Sequence, residues 1–101
     1  MSSITLGEIL EDLQLAEQGM RKFERRYWIS SAHFLGLYSQ GLLDNGENTD
    51  DFAEWSGYCK LHAKRQSALE QFSARRVEQL KQFTSPLGIS LTPAEPTLNI
   101  A

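Results

Sequence analysis

The chain has 101 residues, 41% of them hydrophobic and 23% charged, and a formal net charge of −3 at pH 7. These values exclude several domains, a global positive field for nucleic acid or anionic lipid, and, with Cys59 as the single cysteine, an internal disulfide framework. No apolar run approaches the roughly 20 residues needed to span a bilayer, and no basic segment followed by an apolar core opens the sequence, so a soluble cytoplasmic protein is expected.

The first element is expected from Thr5 to about Tyr27. Thr5-Leu6-Gly7-Glu8 has the form of a capping box, in which threonine and glutamate satisfy orphan amide donors. Leu6, Ile9, Leu13, Ala16, Met20, Phe23 and Tyr27 then recur at alternating steps of three and four, a heptad seam that Leu10 widens. Gly7 and Gly19 each weaken such a helix by about 1 kcal/mol relative to alanine. A single-striped helix of this length needs something to lie against.

A shorter helix is expected from Ser30 to Gln40, capped by Ser30 or Ser31, with Phe34, Leu37 and Tyr38 on one face. Gly41 stands where a glycine in the left-handed region stops a helix. Leu42 and Leu43 are expected to fold back onto the same core.

The stretch DNGENTDDFAEW, residues 44–55, is rich in oxygen ligands. A calcium loop requires oxygen ligands at positions 1, 3 and 5, glycine at 6 and glutamate at 12. Counted from Asp44, position 3 is Gly46, position 6 is Thr49 and position 12 is Trp55, so the pattern fails. The better reading is a turn followed by a helix start: Asn48 or Thr49 caps, and Asp50 and Asp51 occupy the positive first turn.

That helix is expected from residue 49 to 83, with no proline or glycine between Gly57 and Pro86. Phe52, Trp55, Cys59 and His62 begin its apolar stripe, and Leu69, Phe72, Leu80 and Phe83 continue it. At 1.5 Å per residue the helix is about 50 Å long, and the first helix covers only about two-thirds of it. Residues 84–101 carry all three prolines and read as an extended tail, in which Ile89-Ser90-Leu91 alternates as a strand does and Leu98 and Ile100 add apolar surface.

The expected fold is therefore all-α: residues 1–83 form two long helices in an antiparallel coiled-coil-like hairpin with a short helix between them, followed by the tail. Leu6, Ile9, Leu13, Met20, Leu69, Phe72, Leu80 and Phe83 are the candidate partner or oligomer interface. Tyr27, Phe34, Phe52 and Trp55 are expected as an aromatic cluster where the helices meet, with Glu24, Asp44 and Glu54 as acceptors for the tyrosine and tryptophan donors.

Candidates for chemistry are few. Cys59 and His62, three apart on one helix, have the spacing of a nucleophile–base pair or half a metal site. No second pair of ligands accompanies them, and a cysteine and histidine in an apolar stripe are more often core residues. Glu54 beside Trp55 has the setting of a general acid but no carboxylate partner, and a salt bridge to Arg25, Arg26 or Lys60 is the simpler reading. The basic clusters at residues 21–26, 60–65 and 75–81 lack a nucleic-acid signature and read as solvated helix faces. No enzyme activity, metal or cofactor is expected.

The stretch FERRYWISSAHFLGLYSQGLLDNGENTDDFAEWSGYCKL resembles small prokaryotic helical proteins of antitoxin-like type. Those have a helix ending in Glu-x-x-Tyr (here Glu24 and Tyr27), a Ser-x-x-x-Phe helix (Ser30 and Phe34) and a Gly-x-Leu-x-Asp turn (Gly41, Leu42 or Leu43, Asp44). An acidic Phe-x-x-Trp helix follows (Asp51, Phe52, Glu54, Trp55). The resemblance spans about residues 20–70 and departs at Trp28, where such proteins tend to have glycine, and in the spacing of the Gly-Leu-Asp segment. It implies a non-catalytic binding protein partnered with a toxin-like protein; the heptad seam and the long helix are expected to make the chain a homodimer, and the acids Asp44, Glu47, Asp50 and Asp51 to attract a basic partner surface. The alternative is a structural homo-oligomer or adaptor.

Overall fold

A computed structural model describes residues 3–93. Among them are three helices and no strand: α1 (Leu6–Tyr27), α2 (Ser31–Ser39) and α3 (Thr49–Lys81). The segment Ile89-Ser90-Leu91 is not a strand; among the described residues beyond α3 an isolated bridge joins Ser85 and Gly88 around a turn containing Pro86, and the Thr92 carbonyl accepts from Arg76 at 2.6 Å. Leu98 and Ile100 lie outside the described residues.

α1 starts where its capping box places it. The Glu8 amide donates to the Thr5 hydroxyl at 3.1 Å, and the Glu8 carboxylate accepts from the Thr5 amide at 3.3 Å. α2 starts at Ser30, whose hydroxyl accepts from the His33 amide, and ends in a Schellman motif. There Gly41, at φ +74°, donates to the Tyr38 carbonyl while Leu42 donates to the Leu37 carbonyl. α3 differs from expectation at its first residue. Asn48 occupies the cap position but with φ +56°, and its side chain makes no capping bond. Side-chain capping needs an extended backbone at that position, so the helix start relies instead on Asp50 and Asp51 in its positive first turn.

α1 and α3 pack along their lengths. Arg26 meets Asp51, Lys22 meets Glu54, His62 meets Glu17 and Arg65 meets Asp12, so each step forward along α1 is a step back along α3. The core lies between them in two parts. At one end Ile9 and Leu13 are buried against Ala68, Leu69 and Phe72, with Ile4 alongside. At the other, Phe23, Phe34, Phe52, Trp55 and Cys59 form a cluster that Met20, Tyr27, Ile29, Leu43 and Tyr58 cover. Ala16 and Gly19 are buried between the two. A Cβ on Gly19 would stand 2.3 Å from the Tyr58 ring, so the glycine is the residue that allows the helices their approach there. Leu10, expected to widen the seam, is 47% exposed instead. The stripe is narrower than expected because a single opposing helix, α3, covers it. Leu42 likewise stays exposed while Leu43 turns inward.

The molecule is elongated, with extents of 60 × 30 × 22 Å and a Cα radius of gyration of 18.3 Å, against about 13 Å for a compact 100-residue domain. The 33 residues of α3 outrun the 22 of α1, and its last turns lie past the α1 N-terminus.

Candidate functional site

The α1–α2–α3 junction is the most specifically built part of the molecule. The Trp55 indole is fully buried and stacked between rings: Phe34 at 3.9 Å between centroids and nearly parallel, Phe23 at 5.6 Å and Tyr27 at 5.8 Å. Phe52 packs against both Tyr27 and Phe34, at 5.5 and 5.6 Å. These rings come together because Phe23 and Tyr27 are four apart on α1, Phe52 and Trp55 three apart on α3, and α2 lays Phe34 across them.

The polar partners of this cluster are not the expected ones. Trp55 Nε1 donates to the Ser31 hydroxyl at 2.9 Å, and the Tyr27 hydroxyl donates to Asp51 at 2.5 Å. Glu24 instead accepts from the Ser31 amide at 2.8 Å and from Arg21 at 2.6 Å. Asp44 is exposed, and Glu54 pairs with Lys22 at 3.6 Å rather than with Arg25, Arg26 or Lys60. Sequence periodicity locates rings on faces, but it does not show which residue a bend brings underneath them. Ser31 was legible only as a possible cap, and its role depends on the reversal at residues 28–30 that folds α2 back over α1. Asp51 carried a usable signal, since an acid in the first turn of a helix faces the end of its antiparallel neighbour.

Burial pushes the Glu24 carboxyl upward, but the hydrogen bonds from Arg21 and from the Ser31 amide and hydroxyl outweigh it, and its pKa ends below the ordinary value. A depressed folded pKa contributes stability that is complete above the unfolded value, near 4.5, and is lost as pH falls through the folded one. Denaturant titrations from neutral to acid pH are therefore expected to show falling stability below about pH 5, with a shallower fall in Glu24→Gln. An identical slope in that variant contradicts the role given to Glu24.

Of the groups considered for chemistry, each has a structural use. Cys59 is buried in the aromatic cluster; burial raises its pKa, the Ser31 hydroxyl opposes that, and the charge of Glu24 adds to it. His62 reaches away from the cluster to Glu17 at 3.4 Å. Alkylation of Cys59 by iodoacetamide at neutral pH should be very slow in the native protein and fast in denaturant, because a buried neutral thiol is a poor nucleophile. Rapid native labelling would show an activated thiol. Among the described residues no group of three or more histidine, cysteine, aspartate or glutamate side chains is placed to hold a metal ion, and no helix is long and apolar enough to cross a membrane.

The candidate interface residues divide. Ile9 and Leu13 are covered by α3 of the same chain, where Leu69 and Phe72 lie half-buried against them, and Met20 packs on the aromatic cluster. Leu6 and Leu80 are half-buried, and Phe83 is 82% exposed. Four of the ten basic residues pair with acids of the same chain, Arg21 with Glu24, Lys22 with Glu54, Arg26 with Asp51 and Arg65 with Asp12.

Compared with protein-family models, curated proteins and solved structures, the chain has no match. The resemblance across residues 20–70 thus rests on the motif residues themselves, and those residues are largely the ones that build the junction.

Proposed function

We propose that this chain is a non-catalytic protein-binding module of antitoxin-like type. Its body is an antiparallel coiled-coil-like hairpin of α1 and α3, closed by the short α2, and it acts by covering a partner protein. The observation that carries this reading is the length mismatch between the two long helices. The end of α3 and the turn after it extend past α1 with Val77, Phe83 and Leu87 exposed. Apolar side chains carried on a projecting helix end are groups that a groove on another protein takes up. The exposed acids Asp44, Glu47 and Asp50 add a local negative surface for a basic partner. Asp51 is not free to contribute, because Tyr27 and Arg26 hold it. The net charge of −3, and the pairing of Arg21, Lys22, Arg26 and Arg65 with acids of the same chain, support protein rather than nucleic acid as the binding partner.

The test is affinity capture of the chain from its native cells at physiological salt. A single basic protein recovered in about equal amount, and lost when Phe83→Asp and Val77→Asp are combined, is the expected result. Recovery of the chain by itself overturns the antitoxin-like reading. The second reading, a structural homo-oligomer or adaptor, is favoured by one observation: the uncharged outer face of α2.

A further inference from the structure

We infer that the outer face of α2, together with Trp28, is the surface on which a second copy of this chain docks. The inference rests on the reading of the protein as a binding module and identifies one of its surfaces.

Two residues at or beside this face carry a local cost that nothing among the described residues offsets. Trp28 closes α1 in the left-handed region, at φ +63°, and its side chain is 90% exposed. Glycine takes that conformation freely, whereas a residue with a Cβ is strained there by about 1 kcal/mol or more. An indole this exposed recovers none of that strain among the described residues. Gly36 lies inside α2, where glycine is about 1 kcal/mol worse than alanine. Unlike Gly19, it meets no neighbour: a Cβ built on it has nothing within 4 Å. Where a sequence breaks local rules without compensation inside the fold, the compensating contact is sought outside it.

Gly36 lines one shallow apolar groove, and Trp28 precedes another of its lining residues in sequence. Ile29, next to Trp28, lines it with Ala32, His33, Gly36, Leu37 and Gln40. Ala32 and Gly36 line it one helical turn apart, Gly36 leaving open space where a side chain would stand, and the exposed Leu37 lines it beside them. A twofold interface requires the same patch to supply both knob and hole, and this patch does.

Charge selects the occupant. From Trp28 to Leu43 the sequence has no aspartate, glutamate, lysine or arginine. A twofold interface brings like charges close together, so a face without aspartate, glutamate, lysine or arginine is the one that self-docks without their repulsion. A basic partner of the kind proposed above gains nothing from this face and is served by the acids at Asp44, Glu47 and Asp50. The heptad seam of α1, the other candidate for self-association, is occupied by α3.

The test is sedimentation equilibrium of the full purified chain across a hundredfold concentration range. The wild type is expected at twice its 11.5 kDa mass. Ala32→Glu, at an exposed position, places two like charges in the interface and is expected to sediment as a monomer with unchanged helical circular dichroism. Trp28→Gly is expected to melt higher as a monomer while dissociating at least about tenfold more readily, equivalent to about 1.4 kcal/mol of binding. Leu10→Glu, on the exposed side of α1, is expected to leave the dimer intact. A wild type that is monomeric throughout overturns the inference, as does an Ala32→Glu protein that remains dimeric. If Ala32→Glu loses its helices, Leu37→Glu takes its place with the same expected and contrary results. Because only the isolated chain is used, a monomer here together with a captured second protein in the native cell would refute this surface and leave the proposed function standing.

Discussion

Replacing Trp55 with alanine should leave most of the chain unfolded at 25 °C. The indole is completely buried, stacked by Phe23, Tyr27 and Phe34, and anchored to the Ser31 hydroxyl. Removing a buried aromatic of this size costs about 3–5 kcal/mol through lost transfer energy and the cavity left behind. A domain of this length has only about 5–15 kcal/mol in total, and this one is elongated, with its core split into two clusters. The loss also releases α2, which contacts the hairpin chiefly through Phe34. Trp55→Phe keeps most of the ring packing but leaves the buried Ser31 hydroxyl without its donor, and should cost about 1–3 kcal/mol. Urea unfolding followed by circular dichroism separates the two variants. A Trp55→Ala protein with a wild-type midpoint would show that the junction does not hold the fold.

The second large effect runs against helix propensity. On propensity alone, Gly19→Ala should stabilise α1 by about 1 kcal/mol. At this position a Cβ would come within 2.3 to 2.5 Å of three atoms of the Tyr58 ring, including the one next to its Cβ. That part of a side chain does not move without shifting the backbone of α3, and overpacking of this kind costs about 1–3 kcal/mol. The expected net result is a loss of stability, read as a melting temperature lower by several degrees. Combining Gly19→Ala with Tyr58→Ala should recover part of the loss, because the clash disappears with the ring. If Gly19→Ala alone melts higher than the wild type, the close approach of α1 and α3 at Ala16 and Gly19 is wrong.

The contrast between Gly19 and Gly36 shows how far the sequence could be read. Both look the same in the chain, as helix-weakening glycines; only the packing separates one that admits a neighbouring ring from one that leaves a groove. The helices themselves were legible, because capping box, glycine stop and 3.6-residue periodicity are local signals. The ring cluster was legible for the same reason, since its members recur at helical spacing on α1 and α3. What was not legible depends on the bend at Trp28, Ile29 and Ser30. That bend brings Ser31 under Trp55 and Glu24 against the Ser31 amide, and no periodicity encodes it. The departure at Trp28, where glycine would be expected, was visible as an oddity, but its left-handed backbone and bare indole belong to the fold. The length mismatch between the long helices could be counted from the sequence. Which apolar residues the hairpin hides and which it exposes could not, and Leu10, expected to widen the seam, is 47% exposed.

The central claim is that this chain works through contact with another polypeptide, and the mass of the native particle tests it most directly. Native mass spectrometry of material isolated from its own cells, without overproduction, should show a species well above the 11.5 kDa of one chain. Its dissociation should release a second, different polypeptide in equal proportion. A particle of a single 11.5 kDa chain, recovered intact at cellular concentration, would contradict the account.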